Sequence, residues 1–188
     1  MEERDSPLEL SIDLGDHESD AAFRPLLASL PLEEVVTQTL HKAGITRPAM
    51  LTLLITSDET MRKLNKQYRG QDKPTDVLSF PLLDHPIVSA PADQLWMQPE
   101  AFKEEEHHTK QAFVTPAELT MHLGDIVISW PTVVRQAAEA KHESVYELLY
   151  LLSHGVLHLV GYDDQTEAGY QAMLRIQQAV MEATEQKT

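Results

Sequence analysis

Two histidines near the end of the chain have the spacing of a metal site. In the stretch SHGVLHLVGYDD, residues 153–164, His154 and His158 stand four positions apart and Asp164 follows six positions later. Residues four apart lie on one face of an α-helix, so both imidazoles can reach one ion. Gly161 is typical of a helix end and lets the chain fold back toward the pair. Because a catalytic zinc site usually has three protein ligands and a water, the pattern predicts a metal site.

Asp164 has two roles that the spacing alone does not separate. A carboxylate can serve as the third metal ligand. Asp164 also precedes an expected helix, with Glu167 three positions on, which is the pattern of a capping box. For the motif as a whole, the alternative is a pair of histidines at the polar edge of a core helix, satisfied by neighbouring groups.

The motif is not the HExxH of metallopeptidases. Gly155 stands where that motif has its glutamate general base. A peptidase-like metal hydrolase is therefore disfavoured, and any base would have to come from the ion itself or from elsewhere in the chain.

A second cluster lies in LNKQYRGQDKPTDVLSFP, residues 64–81. Arg69 and Gly70 begin a turn that ends at Pro74, and an arginine on a tight turn suits bidentate phosphate recognition. The alternative is a solvated helix face with the ion pairs Asp58–Arg62 and Glu59–Lys63. These pairs do not involve Arg69, so we predict that Arg69 binds substrate.

Composition limits the classes of function. The chain has 188 residues, which suits one domain, and no cysteine, so a tight metal site must use histidines and carboxylates. No apolar run approaches the roughly 20 residues of a membrane span, and the acidic start lacks the basic region of a signal peptide. We therefore expect a cytoplasmic protein without membrane contact.

The net charge of -15 weakens a nucleic-acid function without excluding it. Residues 1–21 and 82–121 together carry -12, whereas residues 22–81 carry +2. Acidity is thus concentrated outside the expected core. We predict a single domain over 1–188 with an acidic tail, about 1–7, and an acidic surface insertion, about 82–121, which contains four prolines and little periodicity.

Periodicity predicts an α+β fold in which helices pack on a small mixed sheet. The metal motif falls on a buried C-terminal helix and the following turn. A capping box of Thr56 and Glu59 opens one helix, and Ser144 with Glu147 opens another. The expected strands are 8–13, 49–56, 76–81 and 122–129, and the expected helices begin near residues 32, 57, 131, 144 and 165.

Taken together, these motifs resemble the YbeY family, the bacterial metal-dependent endoribonucleases of ribosomal RNA maturation. The family signature H-G-x-L-H-L-x-G-Y-D-H compares with HGVLHLVGYDD here, and ten of eleven positions agree, counting the free ones. The family element YRGxDxPTDVLSFP is matched by Tyr68 to Pro81, and its GDIVIS strand by Gly124 to Ser129. The departure is Asp164, which stands where the family has histidine.

The resemblance implies a zinc ion, single-stranded RNA as substrate, and action on ribosomal RNA at the small ribosomal subunit. It implies His154 and His158 as metal ligands with catalytic roles, Asp164 as the positional third ligand, and Arg69 as the basic residue of the active-site cleft. With Asp164 the site is expected to hold one zinc ion, or manganese or another divalent ion in its place. The alternative function is a non-catalytic ribosome-assembly factor with a weakened metal site.

Overall fold

The computed structural model describes residues 8–15, 23–96 and 120–185. The predicted tail and most of the predicted insertion, 97–119, lie outside these residues. The described strands are β1 (Leu8–Asp13), β2 (Ala49–Thr56), β3 (Val77–Pro81) and β4 (Met121–Ser129). The helices are α1 (Phe23–Ala28), α2 (Leu32–Lys42), α3 (Asp58–Arg69), α4 (Trp130–Ala140), α5 (Ser144–Val160) and α6 (Glu167–Glu185).

The four strands form one mixed sheet in the order β1-β2-β4-β3. β1 and β4 run parallel to β2 on either side of it, and β3 pairs antiparallel with β4 at the edge. The α+β class and the mixed sheet predicted from the sequence are confirmed.

Side chains of β4 alternate between two hydrophobic clusters. Ile126 and Ile128 point into the main core, which α2, α5 and α6 complete on that face of the sheet. Val127 points to the opposite face and packs with Met61 of α3 and Leu78 of β3. This alternation follows from the two-residue repeat of a strand.

Helix α5 is the central helix of the main core. Ten of its 17 residues are buried, so nearly every side is covered by protein. Ser153 is a buried polar residue of this helix, and its hydroxyl shares a 2.9 Å hydrogen bond with Thr39 of α2. Placing the two histidines on so constrained a helix fixes their positions relative to the sheet.

Three local features differ from the prediction. The short helix α1 was not expected. Helix α3 is capped by Ser57, which accepts a hydrogen bond from the backbone of Thr60, because the helix begins at Asp58 and Thr56 is still the last residue of β2. Helix α5 has no side-chain cap, so the box predicted for Ser144 and Glu147 is wrong.

Within the described ranges, no helix is long and apolar enough to cross a membrane.

Candidate metal centre

His154 and His158 project from successive turns of α5 toward each other. Both side chains are mostly buried, with 21% and 23% of their surface exposed. Their Nε2 atoms are 2.9 Å apart and their rings meet edge to face, with centroids 4.5 Å apart. The two predicted ligand nitrogens therefore lie close enough together to bind the same ion.

The other ring nitrogen of each histidine is held by a hydrogen bond. His158 donates from Nδ1 to the carbonyl of Tyr162 at 2.9 Å, and His154 donates from Nδ1 to Oε1 of Gln177 at 3.5 Å. Both bonds require the proton on Nδ1, so the Nε2 lone pairs are free for an ion. Such outer hydrogen bonds commonly orient metal-binding histidines.

Gln177 is a residue of the site that the sequence analysis did not single out. It lies on α6, is 2% exposed, and also donates to the carbonyl of Tyr150. Its signal in the sequence is a polar residue at a core position of an amphipathic helix, between Met173 and Val180, both buried. A buried amide at such a position needs hydrogen-bond partners, and here one of them is a histidine.

Burial lowers the pKa of His154 below its ordinary value, and the charge of His158 lowers it further. The neutral form of His154 is therefore favoured, which is the form that binds metal. Two Nε2 lone pairs facing each other at 2.9 Å repel unless a cation lies between them. The lowered pKa of His154 disfavours a proton on that ring as this cation.

Asp164 lies in the turn after α5 and completes the cluster. Its Oδ2 atom is 3.6 Å from Nε2 of His154 and 3.9 Å from Nε2 of His158. The three potential ligand atoms all lie within 4.8 Å of one another. The structure therefore brings together the three side chains that the sequence singled out.

The helix cap predicted for Asp164 belongs instead to Thr166. Thr166 immediately precedes α6, and its hydroxyl oxygen accepts a hydrogen bond from the backbone of Gly169 at 3.0 Å. Helix α6 begins at Glu167, too late for Asp164 to stand at its cap position. The capping alternative for Asp164 is wrong, and its carboxylate, 39% exposed, faces the histidines.

The donor set fits a divalent ion. Zinc binds imidazole nitrogens at about 2.0–2.1 Å in tetrahedral geometry, which separates neighbouring ligand atoms by about 3.3 Å. The observed separations of 2.9, 3.6 and 3.9 Å lie around this value. Two neutral imidazoles and one carboxylate are ligands that zinc, manganese and iron all accept.

Residues 86–96, which we call the clamp segment, pack on the metal-site turn, residues 161–166. The clamp segment falls within the stretch predicted as a surface insertion, and in the structure its Val88 is buried and its backbone is paired with α5 and the turn. The hydrogen bonds of about 3.0 Å run from Ile87 N to Val160 O, from Trp96 N to Gly161 O, and from Asp163 N to Gln94 O. Thr166 Oγ1 also donates to the carbonyl of Asp93.

Trp96 connects the clamp segment to a predicted ligand. Its indole Nε1 donates to the main-chain carbonyl of His158 at 3.0 Å. Gly161 sits beneath Pro86 with φ of +127°, and a Cβ at this position would lie 2.4 Å from that of Pro86. Both the left-handed backbone and the close approach require glycine here. The clamp segment thereby fixes the path of the turn that carries Asp164.

Gly155 is needed where α5 crosses the sheet. A Cβ at this position would lie 2.9 Å from Cγ2 of Ile126 on β4. The glutamate of an HExxH motif would not fit at position 155 unless the helix or the Ile126 side chain moved. The packing therefore gives a physical reason for the absence of that general base.

The cluster opens into a cleft of about 570 Å³ that Arg69 also lines. Arg69 is the last residue of α3 and is exposed, and Gly70 ends the helix in the left-handed conformation. Of the residues that the structure describes, none forms a hydrogen bond or ion pair with the Arg69 guanidinium. Carboxylates dominate the other charged groups of the cleft, namely Asp76, Glu147, Asp163 and Asp164.

The basic residues near Arg69 are engaged elsewhere. Arg62 and Lys66 both bind Asp72, at 2.6 and 2.9 Å, and Lys63 pairs with Glu59 as predicted. The predicted pair of Asp58 with Arg62 is wrong. Asp58 instead accepts hydrogen bonds from Arg135, Ser129 and Thr132, and the Arg135 bond contributes most to holding its pKa down to about 2.

Sequence comparisons give matches over most of the chain. Residues 17–185 match the family model described as endoribonuclease YbeY. Curated proteins of that name include one from Roseiflexus castenholzii, 40% identical over 71% of this chain and 69% of the relative. Another from Dehalococcoides mccartyi is 34% identical over 85% of this chain and 89% of the relative.

The fold is also similar to a solved structure. The solution structure of TM1509 from Thermotoga maritima matches with a TM-score of 0.54 and 23% sequence identity. The match covers 95% of this chain and 91% of that protein. At this identity the likeness concerns the fold alone.

Proposed function

The chain belongs to the endoribonuclease YbeY family, and from this premise we propose that it hydrolyses RNA phosphodiester bonds with one divalent metal ion held by His154, His158 and Asp164. The observation that carries the proposal is the clustering of these three side chains in a cleft that also contains Arg69. The metal and the arginine would be the cationic groups of an otherwise acidic cleft, so a phosphate depends on both.

Each residue has a distinct role in this proposal. His154 and His158 hold the ion through Nε2, and their Nδ1 hydrogen bonds keep both rings oriented. Asp164 adds a negative ligand, and Arg69 binds a non-bridging phosphate oxygen and stabilises charge that develops during cleavage. When bound, the divalent ion supplies Lewis-acid charge and lowers the pKa of water, so that a nucleophile is available near neutral pH.

We propose zinc as the ion, one per chain. The set of two histidines and a carboxylate is a known zinc set, and it is also acceptable to manganese, so a harder ion is the alternative. The substrate is single-stranded RNA, and by the family resemblance the biological target is ribosomal RNA during maturation of the small subunit in the cytoplasm.

Metal removal tests the proposed function directly. Protein stripped by a chelator should not cleave a single-stranded RNA oligonucleotide, because the acidic cleft then repels the phosphate. One equivalent of zinc or manganese per chain should restore cleavage, and a duplex of the same sequence should resist. Chelator-insensitive cleavage would contradict the metal role. A protein that binds metal and RNA but never cleaves would instead be the non-catalytic assembly factor.

The Asp164 ligand assignment has its own test. Asp164→Asn should weaken zinc binding by about 10- to 100-fold, since it removes the negative ligand. Asp164→His should keep or tighten zinc binding. Because Thr166 rather than Asp164 caps α6, neither change should lower the stability of the metal-free protein by more than about 0.5 kcal/mol. Zinc titration with a competing chelator measures the affinities.

The matched control is Asp163→Asn, which makes the same charge change one position earlier. Asp163 accepts a hydrogen bond from the backbone of Gln165, which asparagine can also accept. Its zinc affinity should remain within a few-fold of the unchanged protein. Equal affinities for the Asp163 and Asp164 variants would reject Asp164 as a ligand.

A further inference from the structure

The cleft extends beyond the metal-binding residues and has an aromatic wall. Tyr150, Tyr170 and Trp96 line it together with the histidine pair. A cavity of about 570 Å³ is large enough for more than a phosphate, because pockets of roughly 300–1,000 Å³ hold small organic ligands. The cleft therefore has room for a group next to the aromatic wall.

Tyr150 and Tyr170 come from different helices and line the same cleft. Tyr150 lies four residues before His154 on α5, about 6 Å along the helix axis. Burial raises the pKa of its hydroxyl, and the proximity of Tyr170 raises it further. Tyr170 lies in the first turn of α6, and 47% of its surface is exposed. An exposed ring on the wall of a cleft offers a face to a bound molecule.

Aromatic side chains continue from Tyr150 away from the metal centre. Tyr146 lies one turn earlier, and its ring is nearly parallel to that of Tyr150, with an interplanar angle of 12° and centroids 6.4 Å apart. His142 then meets Tyr146 edge to face at 5.0 Å. On α5 itself, Tyr146, Tyr150, His154 and His158 repeat at four-residue spacing, so neighbouring rings along the helix lie near one another.

The charges near Tyr150 favour a neutral occupant. Glu147 lies three residues before Tyr150, lines the same cleft, and raises the pKa of the tyrosine hydroxyl by its negative charge. Asp76 also lines this part of the cleft and raises the pKa of Glu147. A phosphate would be repelled here unless a cation accompanied it. A nucleobase is uncharged and has a π-face that stacks on aromatic rings whatever its identity.

We infer that Tyr170 and Tyr150 form a stacking platform for a nucleobase of the RNA, next to the nucleotide whose phosphate reaches the metal centre. This inference rests on the proposed function and specifies how that site binds its substrate. Tyr170 is the more exposed of the two rings and contacts the base, and Tyr150 supports it from the floor of the cleft. The platform explains a preference for single strands, because only an unpaired base can lie flat on a side chain.

Substitutions at Tyr170 combined with an altered substrate test this inference. Stacking on an aromatic residue is worth enough to change affinity by about tenfold or more per base. Tyr170→Leu should therefore raise KM for a short single-stranded RNA by about tenfold while kcat, zinc content and melting temperature stay unchanged. Tyr170→Phe keeps the ring and should behave as the unchanged protein does. The effect of Tyr170→Leu should vanish on RNA that lacks the base at the stacked position, found by removing one base at a time.

The outcomes separate the two proposals. If the unchanged protein cleaves RNA and Tyr170→Leu leaves KM unaltered, the platform is rejected while the proposed function stands. If Tyr170→Phe loses as much as Tyr170→Leu, the hydroxyl rather than stacking matters, and the inference is again overturned. If the unchanged protein never cleaves, the proposed function fails, and fluorescence anisotropy with the same RNA decides the platform. A tenfold weaker affinity for Tyr170→Leu supports it and an equal affinity rejects it.

Discussion

Replacing either His154 or His158 by alanine should remove stoichiometric metal and lower RNA cleavage by roughly a thousandfold. The estimate follows because Lewis-acid stabilisation is worth several kcal/mol, and each 1.4 kcal/mol of barrier is about tenfold in rate. The two Nε2 atoms are 2.9 Å apart and share one ion position, so either loss should cost nearly as much as both. Metal analysis after gel filtration and single-turnover cleavage give the two readouts.

Thermal unfolding provides a third readout for the histidine variants. A ligand present at 100 times its Kd stabilises a folded protein by about 2.7 kcal/mol. Zinc should therefore raise the melting temperature of the unchanged protein and have no effect on either variant. His122→Ala is the control, because His122 is an exposed histidine of β4 outside the cluster. Retention of one equivalent of metal by both variants would place the site elsewhere.

Arg69→Ala should lower cleavage by about 100- to 1,000-fold, as the loss of one charge-stabilising donor does in other active sites. The fold should be unaffected. Arg69 is exposed and has no hydrogen bond or ion pair among the described residues, so only its weak interaction with the helix end, about 0.3–1 kcal/mol, is lost. Zinc content should not change, since Arg69 is not a ligand. Arg69→Lys should recover only part of the rate, because lysine lacks the planar pair of donors.

The matched control is Arg62→Ala on the same helix. Arg62 is also exposed, but it is paired with Asp72 at 2.6 Å and does not line the cleft. We expect its cleavage rate to stay within a few-fold of the unchanged protein. A cleavage rate for Arg69→Ala that equals the rate for Arg62→Ala would remove Arg69 from the mechanism.

Much of the fold could be predicted because its elements carry strong periodic signals. The strand AMLTLLIT (49–56) and the apolar helix around His154 are each buried on most sides, and burial selects apolar residues that are visible in the sequence. The histidine pair could be predicted for a different reason. Its four-residue spacing places both side chains on one face of a helix, and the tertiary fold does not change that geometry.

The clamp segment could not be predicted because its contacts leave little trace in residue types. It holds the metal-site turn mostly through backbone hydrogen bonds, for example from Trp96 N to Gly161 O, and every residue except proline can donate such a bond. Few of its side chains are buried, so no apolar period marks it. The large sequence separation between the clamp segment and the metal-site turn also makes their contact hard to predict.

The cap of α6 shows how a shift of two residues in a helix start changes a functional conclusion. The sequence suggests Asp164 with Glu167 as a capping box, but which residue caps the helix depends on where the turn ends. In the structure Tyr162 pairs with Leu95 of the clamp segment, and Thr166 donates to the carbonyl of Asp93 in the same segment. Helix α6 begins directly after Thr166, so Thr166 is the cap and Asp164 faces the histidines.

The clamp segment also has a consequence for the order of folding. Helix α5 can bring His154 and His158 together through local contacts alone. The contacts that build the rest of the site join distant residues, with separations of 62 for Trp96 and His158, 73 for Asp93 and Thr166, and 76 for Ser79 and Gly155. Contacts between residues far apart in sequence require large loops to close. The entropy lost in closing these loops is offset only once the contacts have formed, so such contacts form late in folding. We therefore expect a folding chain to form a two-nitrogen half-site before the turn that carries Asp164 is fixed, and we expect tight metal uptake only in the finished fold.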